Sequence, residues 1–318
     1  MTRPAGSPEP LTRFATTLRR AALLCCVLAP QAFAANILFV GNSFTFAAGT
    51  PIMQYRANTV TDLNQNGTGG VPALFKSFTA QAGLHYDVFL ETNPGVGIDW
   101  HLDHALGKIG QRRWDTVVLQ SYSTLDAAHP GDPATLVRSV KRMAQVLKDK
   151  NASVDIRLMA TWSRADQTYL PTGHWYGKPI VAMANDVRAG YDQAAAGAGL
   201  VNRVIPVGEA WNRAIQSGVA DANPFDGIDP GKVNLWGTDN YHASVYGYYL
   251  EALTIFGSIT GRDPRAMGPQ ECAAADLGIS PESAVALQHI AHEQLSASGV
   301  ALASSTPAAK HVACATLR

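Results

Sequence analysis

Ile37-Leu38-Phe39-Val40-Gly41-Asn42-Ser43-Phe44-Thr45 decides the fold. Four apolar residues, two of them β-branched, run directly into a glycine and two small polar residues. A short unbroken apolar run reads as a strand covered on both faces, as in a parallel sheet. The glycine turn then leaves Ser43 at the carboxyl end of that strand. In open α/β sheets, ligands bind along that edge.

Working outward, four further runs of this kind follow, at 85–91, 116–120, 155–161 and 203–207, so that with 36–41 the chain has five predicted strands. Helical patterns lie over 51–64, 71–82, 98–109, 134–148, 178–198, 209–217 and 245–259. Strands separated by helices predict an α/β protein: a three-layer α/β/α sandwich around a five-stranded parallel sheet, flavodoxin-like in type. Two stretches, 121–133 and 221–240, are rich in Asp, Pro and Gly and read as long loops, which often carry specificity. Residues 35–265 are expected to form this domain. Residues 266–318 are expected as a C-terminal extension, with a helix over 282–296 and a flexible tail from 298.

The second loop ends in Asp239-Asn240-Tyr241-His242. An Asp and a His three residues apart can present both side chains to one place. A serine hydroxyl is a weak nucleophile until a base takes its proton, and the base needs a third group to hold its tautomer. Ser43, His242 and Asp239 supply those three residue types. An ordinary imidazole titrates at about pH 6.5, which suits a base working near neutrality.

Composition narrows the classes. With 47% hydrophobic and only 16% charged residues, a chain of 318 can build a sizeable core and disorder is not expected. The formal net charge of zero leaves no basic excess for nucleic acid. Arg13, Arg19 and Arg20 precede a short apolar run, 21–28, and the small-x-small sequence Ala32-Phe33-Ala34. That order predicts a signal peptide over 1–34 and export to the periplasm or the medium. The run is too short for a transmembrane anchor, which needs about 20 residues. Cys25 and Cys26 would leave with the signal. Cys272 and Cys314 would remain, and in an oxidising compartment an even pair suggests one disulfide.

The motifs resemble those of the SGNH, or GDSL-like, hydrolase superfamily. Gly41-Asn42-Ser43 looks like the first block, with Asn42 where Asp is commoner, and Asp239-x-x-His242 looks like the last. Leu119-Gln120 stands at the third block, with Gln120 in place of the commoner Asn. This combination is most similar to a poorly characterised branch of the superfamily. The resemblance spans roughly residues 36–261. It implies a serine esterase that hydrolyses carboxylic esters through an acyl-enzyme at Ser43. His242 would be the general base and Asp239 its partner. The oxyanion hole would comprise the backbone N–H of Ser43, that of Gly95 (with Gly97 as the other candidate) and the Gln120 side-chain amide. Asn42 would orient the loop. Small acyl groups such as acetyl on carbohydrate are one implied substrate class, and no metal or organic cofactor is required. Three readings compete: a lipid-ester or thioester hydrolase, an acyltransferase, and a non-catalytic carbohydrate-binding module.

Other features read more plainly. His101-x-x-His104 and His289-x-x-His292 each put two imidazoles on one helical face. Without further ligands they read as surface or interface histidines rather than a zinc site. No phosphate-binding loop or dinucleotide fingerprint occurs. Tyr122, Trp162, Trp175, Tyr176, Trp211, Trp236 and Tyr241 cluster near strand ends and loops, where they would pack the core or line a binding site.

Overall fold

Six parallel strands run through the centre of the protein: β1 (Ala35–Gly41), β2 (Thr61–Asp62), β3 (Tyr86–Thr92), β4 (Thr116–Leu119), β5 (Asp155–Ala160) and β6 (Arg203–Pro206), in the order β2-β3-β1-β4-β5-β6. The structure is a computed structural model that describes residues 1, 2, 6, 34–303 and 314. The expected signal segment, 1–34, falls almost entirely outside the described residues. Ten helices are described in that range: α1 (Gly70–Gln81), α2 (Ile98–His104), α3 (Leu106–Ile109), α4 (Ala134–Lys150), α5 (Ala165–Tyr169), α6 (Val181–Ala198), α7 (Val207–Gln216), α8 (Val245–Thr260), α9 (Cys272–Asp276) and α10 (Pro281–Ala297).

Successive strand side chains point to opposite faces, which sorts the core into two layers. Ile37, Phe39, Val88, Leu90 and Met159 pack with residues of α1, α7, α8 and α10. Leu38, Val40, Phe89, Leu119 and Leu158 pack on the other face with α2, α4 and α6. This is the expected three-layer sandwich, with one strand more than predicted. The five predicted strands keep the flavodoxin order, and β2 is added at the edge beside β3. The helix expected over 51–64 does not form. Two short 3-10 turns stand there instead, separated by Arg56 at φ 42°, and the chain then extends into β2. A two-residue strand is too short to leave a periodic signal.

Met267, Ala273, Ile279, Leu287, Ile290 and Ala291 complete the same core layer as α7 and α8. Ala303 N–H donates to Gly261 O, so the chain after α10 returns to the end of α8. Residues 304–313 of the expected flexible tail lie outside the described residues. Cys272 and Cys314 are joined by a disulfide. Among the described residues, no helix is long and apolar enough to cross a membrane.

β1 lies between β3 and β4. The chain leaves β1 toward β3 and later returns past it to β4, so the carboxyl ends of β1 and β4 form the switch point where α/β sheets bind ligands. Ser43 follows β1 and Gln120 follows β4 at that edge.

Candidate active site

The turn that carries Ser43 is built from backbone bonds. Thr45 and Phe46 N–H both donate to Asn42 O, and Ala48 N–H donates to Ser43 O. The Tyr248 hydroxyl, from α8, donates to the same Ser43 carbonyl at 3.2 Å. Gly41 must be glycine: a Cβ there would lie 2.2 Å from Thr45 Oγ1 and 2.6 Å from Gln120 Oε1. Asn42 is a strut. Its amide donates to Val96 O and Ser121 O, and its Oδ1 accepts from Phe44 N–H. That matches its expected loop-orienting part.

His242 arrives on a turn that Asp239 organises. Asp239 Oδ1 accepts from the N–H groups of Tyr241 and His242 at 3.0 and 2.9 Å. Asn240 takes φ 55°, a left-handed conformation that Asn tolerates better than most residues. Segment 162–166, after β5, clamps the turn from below. Asp166 N–H donates to Asn240 O, Trp162 Nε1–H donates to Tyr241 O, and the Arg164 guanidinium lies 3.6 Å from the centre of the Tyr241 ring. Ser244 caps α8 immediately afterwards, accepting from Tyr246 and Gly247 N–H.

These two turns meet. The Ser43 hydroxyl lies 2.9 Å from His242 Nε2, and His242 Nδ1 lies 2.7 Å from Asp239 Oδ2. Burial pushes the Asp239 carboxyl up. The bonds from the His242 ring and from the Tyr241 and His242 N–H groups outweigh it and hold the carboxyl below its usual range. Asp239 is therefore a carboxylate at neutral pH, His242 Nδ1 carries the ring proton, and Nε2 is free to accept from the serine.

The oxyanion-hole candidates divide. Neither Ser43 N–H nor Gly95 N–H has a hydrogen-bond partner among the described residues. Gly95 holds φ 72°, with open space where a Cβ would stand. Gly97 is glycine for another reason: a Cβ there would come within 2.4 Å of the Tyr122 ring. Gln120, the side-chain candidate, follows β4. Its side chain is fully buried, Oε1 accepts from Asn42 N–H at 2.8 Å and from the Thr45 hydroxyl at 3.1 Å, and its amide donates to Ser121 O.

A cleft of about 160 Å³ adjoins the pair of turns, lined by Asn42, Gly95, Tyr122, Ser123, Thr124, Ala127, Arg164 and Tyr241. The loop 121–133 supplies four of these. Of the clustered aromatics, Trp162, Trp175, Trp211 and Trp236 are core residues, and only Tyr122 and Tyr241 reach the cleft. His104 is exposed and stacked on Trp100. His101 is not a surface histidine: it is fully buried beside Glu91. Sequence reasoning missed Glu91, Arg164 and Tyr248. An acid ending the apolar strand Val88–Leu90 was the one available signal.

Solved structures with this architecture include a DUF4886 family protein from Bacteroides uniformis, at 16% identity and TM-score 0.54, covering 87% of this chain and 100% of that one. A protein described as a GDSL-like lipase, from Parabacteroides merdae, matches at 16% identity and TM-score 0.51, covering 71% and 95%. The fold is that of the SGNH hydrolases. No family model matches the chain, and no curated protein does. At these identities the likeness establishes the SGNH fold alone, and function has to be argued from the site.

Proposed function

We propose that this protein is a serine esterase that removes small acyl groups, with acetyl on carbohydrate as the leading substrate class. The observation that carries this reading is the Ser43–His242–Asp239 chain at 2.9 and 2.7 Å. Ser43 Oγ attacks the ester carbonyl while His242 Nε2 takes its proton. The oxyanion is received by the free N–H groups of Ser43 and Gly95. His242 then delivers the proton to the leaving alcohol. Water enters, His242 deprotonates it, and the acyl-enzyme is hydrolysed with Ser43 restored. Asp239 holds the imidazole tautomer throughout.

The adjoining cleft supports a short, polar substrate group. Its 160 Å³ falls below the roughly 300–1,000 Å³ that takes drug-sized ligands, and hydroxyl, amide and guanidinium groups line it. An acylated sugar suits it better than a long acyl chain.

A serine-reactive fluorophosphonate tests the chemistry, and an ester panel tests the substrate. Wild type is expected to be labelled and Ser43→Ala not. Turnover is expected to decline from acetyl to octanoyl esters and to include acetylated sugars. Equal labelling of both proteins, or none of either, rejects the esterase. Rising turnover with acyl length rejects the small-acyl assignment.

A further inference from the structure

A second histidine–carboxylate pair lies directly beneath the nucleophile turn. Glu91 is the penultimate residue of β3, and His101 sits in α2. Their side chains are 2% and 0% exposed, with Glu91 Oε2 in contact with His101 Nδ1. The other ring nitrogen, Nε2, lies 3.0 Å from Gly41 O. A carbonyl only accepts, so Nε2 must carry a proton. Nδ1 faces the Glu91 carboxylate on the other side of the ring. Glu91 is anchored in turn by the Asn64 amide, which donates to Oε1 at 3.3 Å.

Gly41 O belongs to the Gly41–Asn42 peptide, immediately ahead of the nucleophile. That peptide is held at both ends. Its carbonyl accepts from His101 Nε2–H and from Asn93 N–H at 3.1 Å. Its N–H donates to Gln120 Oε1 at 2.8 Å. The next N–H along the chain is that of Ser43. Fixing one peptide plane from three elements limits how the following one can rotate. A buried histidine–carboxyl contact is a poor device for stability alone, because well-packed apolar residues often serve as well or better. Its geometry is informative instead: a rigid ring, locked on one side by a carboxylate, aims a single donor at the backbone of the catalytic turn.

We propose that Glu91 and His101 are positioning residues that orient the Gly41–Asn42 peptide, and through it the Ser43 N–H and hydroxyl, for stabilising the oxyanion. This rests on the esterase reading above. Neither residue touches substrate. Misplacing a catalytic group by about 1 Å can cost on the order of 100-fold in rate.

The test separates the two ring nitrogens. In His101→Gln, the amide NH₂ can still reach Gly41 O. In His101→Asn, the shorter side chain leaves that carbonyl without its donor. With 4-nitrophenyl acetate, His101→Asn is expected to lose about 10- to 100-fold in kcat at nearly unchanged KM, and His101→Gln to retain most of the turnover. Glu91→Gln can donate to Nδ1 and keep Nε2 protonated, so it too should stay active. Equal losses in both His101 variants, tracking their thermal midpoints, overturn the proposal, as does an unimpaired His101→Asn. If a variant fails to fold, the wild-type imidazole is read by nitrogen-15 NMR. The His101 Nε2–H resonance should be present and should shift when Ser43 is phosphonylated; an unprotonated Nε2 or an unmoved signal overturns the proposal. A wild type no more active than Ser43→Ala removes the esterase reading itself, and this inference with it.

Discussion

Asp239→Asn isolates the tautomer from the fold. Asp239 uses its two oxygens differently: Oδ1 accepts from two backbone N–H groups, and Oδ2 faces His242 Nδ1. An asparagine keeps the first oxygen, so the turn survives. Its NH₂ then occupies the place of Oδ2 and can only donate. Nδ1 must become the acceptor, which moves the ring proton to Nε2, 2.9 Å from Ser43 Oγ. A protonated Nε2 cannot take the serine proton. The comparable change in serine proteases costs about 10,000-fold in kcat, roughly 5 kcal/mol of transition-state stabilisation. We expect a loss of about 1,000- to 10,000-fold here, with an unchanged thermal midpoint. Steady-state hydrolysis of 4-nitrophenyl acetate from pH 5 to 9, with a melting curve for each protein, makes the measurement. Turnover within about tenfold of wild type, with the same acid limb, would refute the assignment of Asp239.

Gln120→Met should lower thermal stability by about 1–3 kcal/mol, because Asn42 N–H is left buried without an acceptor, and turnover should fall with it. A loss of about 100-fold or more in kcat at unchanged stability would instead mark Gln120 as an oxyanion donor. Gly95→Ala meets no atom within 4 Å, but holding φ 72° costs an L-residue about 1–2 kcal/mol; kcat should drop as the N–H rotates away, and unaltered kcat would remove Gly95 from the oxyanion hole. Glu271 makes stability depend on pH. Burial raises its carboxyl from 4.5 to about 7, only partly offset by the Ala273 and Ala274 N–H bonds it accepts. The folded chain therefore holds this proton more tightly than the unfolded chain. Its contribution is full below about pH 4.5 and fades as pH rises through 7, by on the order of 3 kcal/mol. Fully buried Glu251 acts in the same direction. Melting curves at pH 5 and 8 should show the drop in wild type and a smaller one in Glu271→Gln; equal drops would reject the linkage.

Much of this arrangement is written locally. The run 37–40 is apolar throughout because both faces of β1 are covered, so the strand and the place of Ser43 follow from four side chains and a glycine. Asp239 and His242 share one turn, and their contact needs nothing beyond three residues of chain. What local sequence leaves open is where long side chains end. Gln120 stands at the expected strand end, and its amide oxygen is taken by Asn42 N–H and the Thr45 hydroxyl across the sheet. His101 shows the same limit. A His-x-x-His spacing says that two rings share a helix face, but only the packing of α2 against β1 and β3 turns His101 inward to Glu91 and leaves His104 in solvent. Periodicity along a chain reports burial of a face. Which buried polar atom meets which partner depends on elements far apart in sequence, and only the assembled sheet brings them to hydrogen-bonding distance.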